Sequence, residues 1–271
     1  MKICVSNSKK MLIMASSFAF ASGAFSSPAS ADFTGHLDLA SKYYLRGITT
    51  TYSPKSVGAL GNSKGDAPEN DGATLQGGLD YVHSSGFYVG WWFSTLTYSY
   101  KTFTDGGVSL EHDLYGGYTG KVGDFGYKLG VTRYQYVPGY ESTAFETMIG
   151  VSYKEFGFNA QTLLDDVTWG NKGDTYWTAT YATTLPKNFG FNATLGYYTY
   201  KETGEFVNPN NVVATTPGDT VASSGFRHLT VGVTYPFLKN LTGGLSYIIG
   251  GKNRYDVDQD NKIVGILTYT F

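Results

Sequence analysis

His83 and Ser85 are the two side chains in this sequence whose spacing most resembles a nucleophile with its base. A histidine two positions from a hydroxyl could activate it for attack on an ester. However, Ser84-Ser85-Gly86 has the composition of a tight turn, so the sequence places this pair at a chain reversal.

The other three histidines, His36, His112 and His228, have no local partner of a recognised kind. None shows a metal-ligand spacing such as His-x-x-x-His, and no serine stands two positions after His112. The sequence also has no glycine-rich phosphate loop, nucleophile elbow or paired-carboxylate motif. We therefore predict a protein that is not an enzyme and holds no cofactor or metal. A lipid hydrolase that uses His112 is kept as an alternative.

Residues 1–31 have the three parts of a secretory signal peptide. Lys2, Lys9 and Lys10 form a basic start, residues 11–25 are mostly apolar, and Ala29-Ser30-Ala31 fits a cleavage site. Removal of this segment leaves 17 basic and 22 acidic side chains, a formal net charge of −5. It also removes the single cysteine, and the negative charge gives no reason to expect a nucleic acid as partner. Residues 32–271 are predicted to form one domain.

The composition is unusual for a soluble domain. Among 271 residues there are 35 Gly and 23 Tyr, yet only 15% are charged against roughly 25% in average proteins. A disordered chain would be poor in aromatic residues, and a bundle of membrane helices needs about 18 or more consecutive apolar residues. An all-β protein with alternating polar and apolar residues remains.

Period-two alternation, which is the signal of a strand with two different faces, recurs twelve times. In the first segment Phe33, Leu37 and Leu39 alternate with His36 and Asp38. The predicted strands are 33–46, 73–83, 87–97, 108–119, 125–136, 143–153, 157–166, 174–184, 189–200, 226–235, 241–250 and 262–271.

The connections between these strands alternate between short and long. Short turns on one side and longer loops on the other are typical of a transmembrane antiparallel β-barrel in the outer membrane. The fold class predicted is therefore all-β, a barrel of about twelve strands with both termini at the periplasmic end. A soluble β-sandwich is the alternative, but strands of ten or more residues are long enough to cross a bilayer.

Aromatic residues at the predicted strand ends fit membrane–water interfaces. At the periplasmic end they are Tyr81, Phe87, Phe125, Tyr153, Phe158, Phe189, Tyr235 and Phe271. At the other end they are Tyr98, Tyr100, Tyr134, Tyr136, Tyr176 and Tyr200. The last strand ends in Phe271 and resembles the terminal strand that the outer-membrane insertion machinery recognises.

A twelve-stranded barrel lies between filled eight-stranded barrels and open sixteen-stranded porins, so a narrow lumen is expected. Polar-face residues are the candidates to line it: His36, Asp38, Lys42, Tyr44, Arg46, Asp80, Glu111, Asp113, Lys128, Glu146 and Asp165. Acids outnumber bases in this set, which favours a weak preference for cations. Alternatively, these groups pair across the lumen and stabilise the barrel.

The stretch Ser41-Lys42-Tyr43-Tyr44-Leu45-Arg46-Gly47-Ile48-Thr49 resembles the Ser-Asp-Tyr-x-Phe-Arg-Gly-Ile-Ser signature of the TorF-family porins. Residues 76–81 and 85–92 are similar to the next block of that family, and the similarity continues to Phe271. The resemblance implies a proteobacterial outer-membrane barrel with a porin role and brings no catalytic or substrate residues. Lys42 replaces the family's usual acid and Leu45 its usual aromatic residue.

The sequence thus predicts a channel for passive or weakly selective diffusion of small hydrophilic solutes. Its expected partners are outer-membrane lipid, the insertion machinery and the solutes themselves. A lipid hydrolase, and a structural or adhesive barrel with binding loops, are the two alternatives.

Overall fold

Alternation of apolar and polar side chains, which lets a strand bury one face and expose the other, governs the whole described fold. The computed structural model describes residues 31–49, 72–98, 105–139, 142–167, 169–203 and 220–271. The predicted signal peptide lies outside them except for Ala31, as do most of the two longest predicted loops.

Twelve antiparallel strands close into one barrel in which each strand pairs with its sequence neighbours and β1 pairs with β12. The strands are β1 Asp32–Ala40, β2 Thr74–Val82, β3 Phe87–Tyr98, β4 Asp105–Val122, β5 Phe125–Val137, β6 Ala144–Tyr153, β7 Phe156–Leu163, β8 Thr175–Thr184, β9 Gly190–Thr199, β10 Ser224–Leu238, β11 Leu241–Gly250 and β12 Lys262–Thr270. The predicted barrel and strand number are confirmed, and the sandwich is excluded because the sheet has no free edge.

The two faces of the wall differ as alternation requires. On β1, Phe33, Leu37 and Leu39 are exposed on the outside, whereas Asp38 between them is buried inside. β6 repeats this arrangement, with Phe145 and Ile149 exposed and Glu146 buried. The outer surface is therefore apolar and the inner face largely polar, as in barrels that cross a membrane.

The two ends of the barrel are built differently. At one end, here called the short-turn end, the strands are joined by tight turns such as those at residues 83–86 and 123–124. Asp32 and Phe271 lie at this end too, since Gly35 and Phe271 exchange backbone hydrogen bonds of 3.0 Å. At the other end, the long-connection end, residues 164–167, 169–174 and 251–261 are folded segments. No helix among the described residues is long and apolar enough to span a membrane.

Two sequence-based expectations are wrong at the long-connection end. β1 was expected to continue to residue 46, but it ends at Ala40. In addition, Tyr134, Tyr136, Tyr176 and Tyr200 do not form an outer aromatic belt, because all four are buried inside the barrel. Tyrosine fits both places, since its ring is apolar and its hydroxyl finds a partner.

Candidate pore constriction

Residues 41–49, here called the luminal segment, leave the wall after β1 and enter the barrel. The Ser41 amide still donates to the Gly265 carbonyl oxygen of β12 at 2.8 Å. Tyr43 and Tyr44 are then both buried, so the alternation of the wall has ended. A single 3-10 turn follows at Leu45–Gly47.

Arg46 lies at the tip of this turn in an unusual backbone conformation. Its φ is 49° and that of Gly47 is 72°, so two successive residues are left-handed. For a residue with a Cβ this conformation costs roughly 1–2 kcal/mol. Such strain persists where surrounding contacts fix it, and here it directs the guanidinium toward the opposite wall.

Arg46 forms a two-pronged ion pair with Glu146 on β6. Its Nη1 donates to Glu146 Oε1 at 2.8 Å and its Nη2 to Oε2 at 2.6 Å. Tyr134 Oη donates to the same Oε2 at 2.8 Å, and Gln161 Nε2 does so at 3.3 Å. Because β6 stands five strands away from β1 in the barrel, the pair crosses the lumen.

Tyrosine rings surround the Arg46 guanidinium. Its Cζ lies 4.9 Å from the ring centre of Tyr176, and its Nη1 donates to Tyr198 Oη at 2.9 Å. Burial alone would lower the pKa of Arg46, but the Glu146 carboxylate and the hydroxyls of Tyr198 and Tyr134 together outweigh burial and raise that pKa well above its ordinary value. The constriction therefore carries a permanent positive charge that is matched by one carboxylate.

Two residues of β10, Arg227 and His228, contact the backbone of the luminal segment. Arg227 Nε donates to the Arg46 carbonyl oxygen at 3.1 Å, and Arg227 Nη1 donates to Tyr200 Oη at 3.1 Å. Next to it, the His228 ring lies against Gly47, where an added Cβ would come within 2.6 Å of the His228 Cβ. Glycine at position 47 thus meets two demands at once, a positive φ and a close approach.

A second buried ion pair joins two connections at the long-connection end. Arg254 in segment 251–261 donates to the Asp174 carboxylate just before β8, and both side chains are almost fully buried. Segment 251–261 also binds the luminal segment, because the Thr49 amide donates to Gln259 Oε1 at 2.9 Å. The luminal segment, the two connections and the wall therefore form one bonded unit.

An aromatic cluster fills the lumen beside the Arg46–Glu146 pair. Its buried members are Tyr43, Trp92, Leu96, Tyr134 and Tyr136. Tyr136 Oη donates to the buried Glu111 carboxylate at 3.1 Å. This half of the lumen is narrow because large side chains and the luminal segment share it.

Toward the short-turn end the inner wall carries smaller polar groups and a few charges. Tyr115 Oη donates to Asp80 Oδ1 at 2.6 Å, and Lys128 Nζ lies 4.6 Å from the ring centre of Tyr88. Elsewhere on the inner face, Thr268 Oγ1 donates to Asp38 at 2.6 Å. The charges in this half thus belong to side chains of the wall itself.

Residues 62–235 match the family described as "Bacterial protein of unknown function (Gcw_chp)". This chain belongs to the Gcw_chp family. No curated protein matches it. Among solved structures, the KdgM porin is 8% identical, with 88% of this chain and 98% of that chain covered and a TM-score of 0.49.

Two further solved structures are similar at the same low level. The NanC porin is 10% identical over 89% of this chain and 99% of that chain, with a TM-score of 0.46. Outer membrane phospholipase A from Escherichia coli is 8% identical over 88% of each chain, with a TM-score of 0.41.

Most of the predicted lining residues of this Gcw_chp member lie on the inner side. Seven of them stand on wall strands and point inward: His36, Asp38, Asp80, Glu111, Asp113, Lys128 and Glu146. Lys42, Tyr44 and Arg46 stand on the luminal segment instead of the wall. Asp165 lies beyond the end of β7, where its carboxylate accepts the Phe145 backbone N–H at 2.8 Å.

Sequence reasoning missed three charged residues of this end of the lumen. Arg227 was hidden because the pairing of β9 and β10 shifts register between Phe226 and His228, so Arg227 and His228 both come to lie inside. Arg254 was expected in the outward loop 251–261, and Asp174 was expected as the first residue of the strand 174–184. The buried Arg254–Asp174 pair is invisible to alternation, since neither residue belongs to a strand.

The candidates for catalysis lie in two separate parts of the barrel, the His83–Ser85 turn and the outer face of β4. His83 Nδ1 and Ser85 Oγ lie 2.7 Å from each other in an exposed turn. His112 is on the outer face of β4, where its ring stacks on Trp91 with 6.0 Å between centres. Within the described part of the chain, no group of three or more His, Cys, Asp or Glu could hold a metal ion.

Proposed function

We propose that the protein is an outer-membrane channel for small hydrophilic solutes, narrowed by the luminal segment. The observation that carries this proposal is the Arg46–Glu146 pair, which joins a short non-wall segment to the opposite wall through side chains alone. A constriction made in this way limits flow and can widen without any change in the barrel.

The two faces of the wall support a place in a membrane. An apolar exterior around a polar interior is the arrangement of outer-membrane barrels. Among the described residues the inner wall carries many small polar side chains, including Gln76, Asn159, Thr178 and Thr180. A solute that sheds part of its water would find replacement hydrogen bonds along this wall.

The charges inside favour cations weakly. Arg46 is matched by Glu146 and Arg254 by Asp174. The remaining charged side chains described on the inner wall are the acids Asp38, Asp80, Glu111 and Asp113 and the bases Lys128, Arg227 and Lys262. Lys262 is matched by Asp260, which lies off the wall. The excess of acids supports the weak cation preference expected from the sequence.

The resemblance to TorF-family porins supports the same role. The nine residues of its signature, 41–49, are the residues of the luminal segment. On this proposal the signature describes the constriction rather than a wall strand. The C-terminal strand ending in Phe271 would be the part recognised by the insertion machinery.

Conductance across planar lipid bilayers tests the proposal. Folded protein, checked by its faster migration in unheated gels, should give discrete current steps with a small preference for cations. The Arg46→Ala variant should give larger steps. A folded barrel that never conducts, either as wild type or as Arg46→Ala, would overturn the proposal in favour of a structural or adhesive barrel.

A further inference from the structure

The outer faces of β4 and β5 carry a histidine, an arginine and a glutamine, whereas the outward positions of the wall are mostly apolar. On β5 the outward positions continue from Leu129 and Val131 to Arg133 and Gln135. The register places His112 of β4 directly opposite Gln135. Arg133 faces Leu114, one row nearer the short-turn end. His112, Arg133 and Gln135 thus form one group on the outside, here called the outer patch.

Aromatic rings border the outer patch on both sides. His112 stacks on Trp91 of β3, and Trp91 stacks on Phe93 with 5.2 Å between ring centres. On the other side Phe145 of β6 is the register partner of Arg133. The patch is therefore a polar area set between flat apolar surfaces.

Arg133 has no carboxylate partner within the described part of the chain. Its Nη1 donates to Gln135 Oε1 at 2.6 Å, and it takes part in none of the ion pairs found there. The acid that stands near it in the register, Asp165, binds the Phe145 backbone instead. An arginine facing lipid is costly at the middle of the membrane and much less so near the interface. An anion beside it would reduce this cost.

The height of Arg133 in the membrane indicates which part of the bilayer could supply such an anion. Residues 125 to 133 of β5 span about 27 Å at roughly 3.4 Å per residue. With a strand tilt of about 40°, this is about 21 Å of height in an apolar band about 25 Å tall. Arg133 therefore reaches toward the interface at the long-connection end, where lipid headgroups begin.

We propose that the outer patch binds the phosphate group of an anionic lipid in the leaflet at the long-connection end. The Arg133 guanidinium would donate two parallel hydrogen bonds to phosphate oxygens, a geometry that this group favours. The Gln135 amide and the His112 ring would add donors, and Trp91, Phe93 and Phe145 would pack against the acyl chains. This inference rests on the membrane location in the proposed function but not on conduction.

Native mass spectrometry of the barrel released from lipid nanodiscs tests the site. Nanodiscs would contain phosphatidic acid, whose headgroup is a bare phosphate, mixed with phosphatidylcholine. Wild-type protein should retain phosphatidic acid in preference to phosphatidylcholine. Arg133→Gln should lose about tenfold or more of this retention, the size expected for a charged hydrogen bond. Arg133→Lys, which keeps the charge, should retain part of it.

Lys121→Gln is the control for loss of a positive charge, because Lys121 is an exposed cation at the short-turn end of β4, away from the outer patch. This variant should retain lipid like the wild type. Inorganic phosphate added in excess should not release the bound lipid, since it lacks the acyl chains. Equal retention by wild type and Arg133→Gln would overturn the site, as would a dimer that forms through the patch instead of lipid binding.

Conductance of the same wild-type preparation separates the two proposals. Lipid retention that depends on Arg133, in a barrel that never conducts, would leave the lipid site standing and remove the channel. Conduction without any preference for phosphatidic acid would remove the lipid site and leave the channel standing.

Discussion

The guanidinium of Arg46 and the carboxylate of Glu146 face each other across the lumen, with both pairs of atoms within 2.8 Å. One partner belongs to the luminal segment and the other to the wall. The contact that narrows the barrel is thus between two side chains and can be removed without altering any strand.

Arg46→Ala should increase single-channel conductance, because it removes the side chain that spans the lumen. It should also lower stability, since Glu146 then remains buried without its cation, a loss of up to about 3–5 kcal/mol. The temperature at which the folded barrel disappears from unheated gels measures the second effect. In a double-mutant cycle, adding Glu146→Gln should restore part of the stability, and simple additivity would contradict the pairing.

Gly47→Ala should disturb the luminal segment, and Gly123→Ala is its control. Both glycines have a positive φ, 72° and 61°, so each substitution carries the same backbone strain of about 1–2 kcal/mol. A Cβ at Gly47 would meet the His228 ring, whereas a Cβ at Gly123 would meet nothing within 4 Å. Conductance should therefore change for Gly47→Ala alone. Identical behaviour of the two variants would mean that the segment does not set the current.

Asp80→Asn should weaken cation preference. Asparagine keeps the shape of the side chain and can still accept the Tyr115 hydroxyl, so the charge is what changes. The reversal potential in a salt gradient should shift toward that of an unselective pore. Asp165→Asn removes the same charge from a residue that is not on the wall. This variant should leave the reversal potential unchanged. A shift of equal size for both would contradict an inner charge effect.

Arg254→Gln should loosen segment 251–261, because this segment is held by the buried pair with Asp174. The readout is tryptic cleavage at the exposed Lys252 on intact cells, which should become faster. Asp256→Asn removes the charge of a surface partner of Lys252 but keeps a residue type that tolerates the φ of 60° at this position. It should change the rate little, since exposed ion pairs contribute little. Protection of Lys252 in intact cells combined with cleavage in opened cells would show that the long-connection end faces inward.

Phe271→Ala should reduce the amount of assembled barrel in cells. Its ring is exposed on the outer face, while its backbone pairs with Gly35, so the substitution leaves the pairing intact. Refolding of purified protein into detergent should therefore proceed as for the wild type. Leu267→Ala, on the same face of β12, is the control for loss of apolar surface. A refolding defect as large as the cellular one would contradict a recognition role.

The wall strands could be predicted from the sequence because each strand needs one apolar and one polar face, as Phe33, Leu37 and Leu39 show. The constriction could not be predicted in this way. Tyr43 and Leu45 continue the alternation of β1, although the chain has already left the wall at Ala40. Inside a lumen an aromatic side chain can pack on other aromatic side chains, so period two no longer separates wall from interior. Arg254 and Asp174 pair over a long sequence separation, which no local pattern can indicate.

The seam between β1 and β12 has a consequence for the order of events in biogenesis. Five register pairs join His36–Ala40 to Ile266–Thr270, so the first and last strands of the domain close the ring. Until the final nine-residue strand pairs with it, β1 keeps an unpaired edge that is open to aggregation. Ring closure joins residues that are more than 200 positions apart in the sequence. Because contacts between such distant residues form slowly, closure is expected to be a slow step of folding. Loss of the last strand alone would therefore leave an open sheet rather than a smaller barrel.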